Sequence, residues 1–428
     1  MRVIRFIFRA QDQSNKRIEI IRLGFSLESD DPSMNWIQMH IFHRFLIPFC
    51  LLMVNGCSHE PSRPPPDEIQ AELDHFGAKA SYQPTALTKG PEVTEQWKNG
   101  SRTLDILFVA PEEPGSYPLV VYLPGLGQDA GSAPLWRDAW VKGGFAVLVV
   151  QQQRDAMALT HLSAADRHDL KSIGHEHFSL NSLEGRISDV TYAIRNLEER
   201  KRTAKPPFSQ ARMDEIAIVG FDLGAQTLQA MLGEAVKGLS LREPLPPIQA
   251  ALLLSPHVDM AKGGIHHRFE SLNTPLLVVT GSDDHDPWGI TSPSVRSAPW
   301  QQAHAGSKIL LNLINGTHRQ LAGIDPQSEK PEDQEEDPDE VRHAEEEGQL
   351  FGKRGRGGPN GRATQFGDAR RGFGPGYDPR HYGRQLAAIQ KISTAFLGSV
   401  LRKDKAAENW LRNEAPGWLG SAGQLKFR

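Results

Sequence analysis

Glu215-Ile216-Ala217-Ile218-Val219-Gly220-Phe221-Asp222-Leu223-Gly224 is the stretch that decides the fold. Glu215 to Gly220 is short, apolar and rich in β-branched residues, which predicts a strand covered on both faces. Gly220 and Gly224 bracket Phe221-Asp222-Leu223, and glycine lets the backbone turn sharply where a Cβ would obstruct it. Ala225 to Leu232 then reads as a helix. A strand that breaks abruptly into a helix lifts its central side chain, here Asp222, above the sheet edge. At a helix N-terminus the dipole and the free N–H groups favour negative charge.

Outward from this turn, strand and helix patterns alternate between residues 101 and 318. Leu104 to Ala110 alternates as an early strand. Pro118 to Leu123, Phe145 to Val150, Ala250 to Leu254, Pro275 to Thr280 and Ile309 to Ile314 are continuous apolar runs. Leu183 to Arg200 has helical spacing through Ile187, Val190, Ile194 and Leu197. Alternation of this kind predicts an α/β protein with a mostly parallel central sheet flanked by helices.

Hydrophobic residues make up 39% of the 428 and charged residues 23%, enough for a soluble globular core. The length suits one large α/β domain with appendages or two small domains. A formal charge of −4 is small for this length and gives no reason to expect a nucleic-acid partner. Both cysteines, Cys50 and Cys57, fall in an N-terminal apolar segment, so the body has none. That excludes a disulfide scaffold, a cysteine nucleophile and a Cys-ligated metal there. It fits either chance or an oxidising compartment.

Two further features follow the elbow in fixed order. Pro275 to Thr280 runs into Gly281-Ser282-Asp283-Asp284-His285-Asp286, and Ile309 to Ile314 runs into Asn315-Gly316-Thr317-His318. All three segments lie past the carboxyl ends of expected parallel strands, where open α/β sheets place their sites. An earlier loop, Pro124-Gly125-Leu126-Gly127, follows the strand Pro118 to Leu123.

This constellation resembles the α/β-hydrolase superfamily, whose chain order is nucleophile elbow, acid, histidine. It looks closest to the dienelactone-hydrolase and platelet-activating-factor acetylhydrolase-like branch of ester hydrolases. Gly185-Arg186-Ile187-Ser188-Asp189-Val190 before the elbow and Ala251-Leu252-Leu253-Leu254-Ser255-Pro256 after it add to the likeness. The resemblance covers residues 90–320 and the last helix. It implies Asp222, Asp284 and His318 as the catalytic set, Asp284 being favoured over Asp283 and Asp286, which suit surface or capping roles. It also implies Leu126 N–H and Leu223 N–H as the two donors of an oxyanion hole. Pro124 stands where many relatives carry histidine.

Asp222 stands where most relatives carry serine. A carboxylate attacking a carbonyl gives an unstable anhydride, a poor route for ester hydrolysis. Carboxylate nucleophiles suit displacement at saturated carbon, followed by hydrolysis of the alkyl ester with a histidine-activated water. Enzymes of that type usually have a helical cap. The twenty or so residues between Leu254 and Pro275 are too few for one, so no large cap domain is expected. Asp155 to Ser182, with His161, His168, His175 and His177, is the expected cover. Aspartate also tolerates unusual backbone conformations and caps helices. Two outcomes therefore stand open: a hydrolase of small ester or related organic substrates, or a catalytically inactive hydrolase-fold binding or scaffold protein of the cell envelope. A metal held by Asp283, Asp284 and Asp286 is a third, but no metal and no cofactor is expected.

At the N-terminus, Phe45 to Val54 is an apolar run too short to span a membrane. It follows His40, His43 and Arg44 and ends in Val54-Asn55-Gly56-Cys57, the order of a secretory signal. The end resembles a bacterial lipobox with Cys57 lipidated; a plain cleaved signal or a buried helix are the alternatives. Residues 1–38 then read as untranslated or disordered sequence upstream of Met39, 39–57 as the lipoprotein signal, and 58–90 as a tether whose Pro61 to Pro66 run is stiff. Residues 91–324 form the hydrolase domain. Residues 325–383, acidic and then Gly/Arg-rich, read as a disordered insertion, and 384–428 as helices that complete the domain. The expected partners are a small-molecule substrate and a membrane reached through the lipid anchor. The expected place is the cell envelope, periplasm-facing or outer-membrane, with secretion as second choice.

Overall fold

A computed structural model describes residues 66–84, 86–160, 170–203, 207–241, 243–325 and 381–428. The expected signal and Cys57, residues 1–38, residues 326–380 of the expected insertion, and His161 and His168 lie outside the described residues. Among the described residues, no helix is long and apolar enough to cross a membrane.

Nine strands form one sheet: β1 (Val93–Asn99), β2 (Arg102–Val109), β3 (Tyr117–Leu123), β4 (Ala146–Gln152), β5 (Ala211–Phe221), β6 (Ala250–Leu254), β7 (Leu276–Asp283), β8 (Lys308–Thr317) and β9 (Gly423–Phe427). Their order is β1-β2-β4-β3-β5-β6-β7-β8-β9. From β4 across to β8 every pair is parallel. The edge pairs β1–β2, β2–β4 and β8–β9 are antiparallel. The α/β class and the mostly parallel sheet are those the pattern predicts.

The continuous apolar runs are explained by burial on both sides. In β3, Val120 and Tyr122 enter one core while Leu119, Val121 and Leu123 enter the other. In β5, Ala217, Val219 and Phe221 face the first and Ile216 and Ile218 the second. The first core is closed by α1 (Pro66–Lys79), α2 (Pro134–Lys142) and α6 (Tyr382–Leu401), the second by α4 (Leu180–Thr203) and α5 (Leu223–Met231). In chain order α3 (Leu170–His177) precedes α4, and α7 (Lys405–Asn413) follows α6.

The elements not anticipated include α1, α2, α3, β1 and β9. Helix α1 falls inside the stretch read as a tether. Ile69 and Leu73 bury one face of it, and Glu72 accepts a hydrogen bond from Gly383 N at 2.9 Å, tying it to α6. Its signals were present: Asp67 and Glu68 in the first turn and Lys79 in the last suit the helix dipole. The proline run before them masked the pattern. Strands β1 and β9 are edge strands with one solvated face, so their apolar content is low. With β9, the segment read as helices ends in a strand that pairs along β8 from Ile309↔Phe427 to Leu313↔Gly423.

Candidate active site

The elbow is built by close approach. A Cβ at Gly220 would run into the carbonyl of Gly224, and one at Gly224 into the carbonyl oxygen of Leu123. The first turn of α5 therefore sits directly on β3 and β5. Asp222 bridges strand and helix at φ 50°, ψ −105°, a conformation that costs a non-glycine residue about 1–3 kcal/mol. Its N–H donates to Leu254 O at 3.2 Å and its carbonyl accepts from Gln226 N at 3.1 Å, so both neighbours hold the strained residue.

His318 follows β8 directly and opens a short helical turn, His318–Leu321. Thr317 and Gln320 form a capping box: Gln320 N donates to Thr317 Oγ1, and Thr317 N donates to Gln320 Oε1 at 2.8 Å. Such a cap is worth about 1 kcal/mol and fixes where the helix begins. Gln320 Nε2 donates in turn to Gln385 Oε1 at 2.7 Å, anchoring the turn to α6.

The imidazole stands between two carboxylates. His318 Nδ1 lies 2.9 Å from Asp284 Oδ1, and Nε2 lies 4.0 Å from Asp222 Oδ1. Ser255, at the end of β6 with φ 51°, donates from Oγ to Asp284 Oδ1 at 2.8 Å and lies 2.8 Å from His318 Nδ1. Thr280 Oγ1 donates to Asp284 Oδ2 at 2.9 Å. A carboxylate satisfied on both oxygens in this way fixes the ring orientation and keeps its own charge.

Sequence reasoning missed two residues of the loop after β7. Fully buried Arg296 donates from Nε to Asp284 O at 2.7 Å, with Nε 3.2 Å from Asp284 Oδ1 and Nη2 3.7 Å from Asp286 Oδ2. Asp286 accepts from Ile290 N (3.1 Å) and Thr291 N (2.6 Å), closing the loop beneath Trp288. Trp288 Nε1 donates to Asp222 Oδ2 at 3.1 Å, and Leu126 N–H reaches the same oxygen at 3.4 Å. No helical or strand period runs through this loop, so no pattern marked Trp288 or Arg296.

The surroundings act on the two carboxylates in opposite directions. Burial pushes the Asp222 carboxyl above its ordinary 3.8, and Asp286 adds to this; His318, Arg296 and the Trp288 hydrogen bond oppose it without cancelling it. Burial would raise Asp284 as well, but Arg296, His318 and Ser255 outweigh it and hold that carboxyl below 3.8. Asp283 and His285 sit nearer the surface, with Nε2 of His285 3.4 Å from Asp283 Oδ1.

Above the elbow, Leu126, Phe178, Leu223 and Trp288 form a small apolar cluster, with Ala158, Leu170, Ile173 and Ile290 packed against it. Ala158, Leu170, Ile173 and Phe178 belong to the described parts of the 155–182 stretch, the expected cover. A Cβ at Gly174 of α3 would lie 2.7 Å from Trp288 Cβ, so α3 presses on the indole. Within the cover, His177 Nδ1 lies 2.6 Å from Asp155 Oδ1, and Asp155 O accepts from Gly127 N at 3.0 Å. His257 stacks on Phe178 at 4.3 Å, and burial, aided by Lys262 and Arg296, holds its pKa well below 6.5.

Asp222, Asp284, His318, Leu126 and Leu223 are thus brought to one place. Asp286 is buried rather than at the surface, and accepts from Ile290 N and Thr291 N within a turn rather than at the start of a helix. Among the described residues, no three His, Cys, Asp or Glu side chains assemble into a metal-holding group, so Asp283, Asp284 and Asp286 do not converge. Compared with known proteins, the chain matches no family model and no curated protein.

Proposed function

We propose that this chain is a hydrolase of the α/β-hydrolase fold, acting on small ester or related organic substrates with Asp222, Asp284 and His318 as its catalytic set. One observation carries this reading: His318 bonds Asp284 through Nδ1 and turns Nε2 toward Asp222 Oδ1 across 4.0 Å. Support also comes from the elbow after β5, the acid after β7 and the histidine after β8, all at carboxyl ends of parallel strands.

The chemistry that suits Asp222 has two steps. Oδ1 attacks a saturated carbon, the new O–C bond forms, and the leaving group departs with its electron pair. Water then attacks Cγ of the Asp222 ester, giving its proton to His318 Nε2, and the charge develops on the other carboxylate oxygen. Collapse breaks the Cγ–Oδ1 bond, and His318 returns the proton to the departing alkoxide. The alcohol carries an aspartate oxygen, and the aspartate keeps one from water. The apolar cluster of Leu126, Phe178, Leu223 and Trp288 suits a small apolar substrate and keeps bulk water from the ester.

Single turnover in heavy-oxygen water tests this directly. Label in the elbow peptide at Asp222, with unlabelled alcohol, is the expected result. No label and no turnover on haloalkane, epoxide and ester substrates overturns it. The second reading is a binding or scaffold protein of the envelope that kept the fold and lost the reaction. The burial of Asp222, only 2% exposed, favours it. We place either protein in the cell envelope through a lipid on Cys57; fatty-acid labelling that persists in Cys57→Ser would refute the anchor.

A further inference from the structure

We propose that the Trp288 indole N–H is a side-chain oxyanion donor that commits Asp222 Oδ2 to the carbonyl role and leaves Oδ1 as the attacking atom. The proposal rests on the two-step displacement put forward above and adds a residue to it.

The geometry divides the two oxygens of Asp222. Oδ2 receives Trp288 Nε1 at 3.1 Å and Leu126 N at 3.4 Å, whereas Oδ1 faces His318 Nε2 at 4.0 Å. An indole N–H can only donate. It therefore stabilises a lone pair or a negative charge on Oδ2 and gives nothing to a proton there. In the second step, water attack on Cγ turns the ester carbonyl into an oxyanion on that same Oδ2. Trp288 is already aimed at it, so no reorganisation accompanies the charge, which is the condition for a strong contribution.

The indole is held as a donor must be held. It is 2% exposed, so water does not share the bond. Asp286 closes the loop beneath it through Ile290 N and Thr291 N, and Arg296 ties Asp286 to Asp284. From above, α3 approaches within van der Waals contact at Gly174. A residue that only filled space would need none of this aim, since the packing of a ring does not depend on which edge bears the nitrogen.

The test replaces the N–H and keeps the ring. Trp288→β-(3-benzothienyl)alanine exchanges the indole N–H for sulfur, and Trp288→Phe removes the N–H by ordinary mutagenesis. The probes are 1-bromobutane, styrene oxide and p-nitrophenyl butyrate. Loss of one oxyanion donor slows catalysis by about 10²–10³-fold. The slow step should be ester hydrolysis, so alkylated Asp222 peptide should accumulate in both variants, and kcat and KM should fall together with kcat/KM nearly unchanged. Unchanged kcat in the benzothienyl variant, with labelled Asp222 in the parent, overturns the proposal and leaves the hydrolase reading intact.

A second measurement needs no turnover. The Trp288 indole proton should resonate downfield of the other seven tryptophans, and it should move as Asp222 titrates. In Asp222→Asn that movement should vanish. An indole signal that ignores pH, or that titrates equally in Asp222→Asn, also overturns the proposal. If the parent turns over none of the probes, the hydrolase reading falls, and the indole titration alone decides whether Trp288 holds an ionised Asp222.

Discussion

Asp222 and Asp284 face opposite nitrogens of one imidazole, and their surroundings drive their acidities apart. Paired groups pushed in opposite directions divide labour in many acid–base sites. Here Asp284 is built to stay charged whatever happens next to it. Asp222 is the group whose charge is expensive to bury.

Asp284→Asn should unfold more easily at neutral pH. Arg296 would lose its nearer carboxylate and keep only Asp286 at 3.7 Å, and removing one partner of a buried ion pair typically destabilises by about 3–5 kcal/mol. The depressed folded pKa sets the sign: the contribution is present above the unfolded value of 3.8 and is lost as pH falls through the folded pKa. Urea unfolding of parent and variant at pH 7 and below pH 4 should show the gap closing in acid. A gap that is constant with pH would refute the pairing.

Asp222→Asn should have the opposite effect on stability. A raised folded pKa means that the neutral acid fits the fold better than the anion. The penalty is absent below 3.8, grows as pH rises toward the folded pKa and is constant above it. The variant should therefore melt above the parent at pH 8 and level with it in acid. On the proposed mechanism its turnover should fall by more than about 10³-fold, so stability and activity part company. A variant less stable than the parent at pH 8 contradicts this.

Asp222→Ser should gain hydrolysis of p-nitrophenyl butyrate over the parent. Serine can attack the carbonyl without forming an anhydride, and His318, Asp284 and Leu126 N–H are already in place. The gain should disappear on adding His318→Ala. Equal rates for parent and variant would mean that the rest of the machinery cannot serve a serine.

Gly174→Ala separates packing from helix propensity. In a helix interior alanine is favoured over glycine by about 1 kcal/mol. The new methyl, however, would lie 2.7 Å from Trp288 Cβ, and overpacking of this kind destabilises by about 1–3 kcal/mol. A net loss of stability with altered tryptophan fluorescence is expected. A net gain would show that α3 does not bear on the indole.

The parts of the fold legible in the sequence were those with a period or a forced conformation. Apolar runs marked β3, β4, β6, β7 and β8 because both faces of each are covered. The elbow was legible because two glycines at fixed spacing answer backbone contacts that admit no Cβ. His318 was found by its place after a strand. Trp288, Arg296 and Ser255 were not, because they reach the site through loop geometry and long-range pairing that leave no periodic trace. Helix α1 escaped notice because the proline run before it masked its pattern and its buried face packs toward α6, more than 300 residues away in sequence.

Arg296 has a further consequence for how this site can vary. Its guanidinium lies within ion-pair distance of both Asp284 and Asp286, so the histidine's support and the indole's support share one buried charge. Substitutions at those three positions should be strongly non-additive, since residues in one buried network share their losses. Asp222 reaches that network through the Trp288 bond and through the charges of Arg296 and Asp286, so an exchange at the elbow should be felt in the loop opposite it as well.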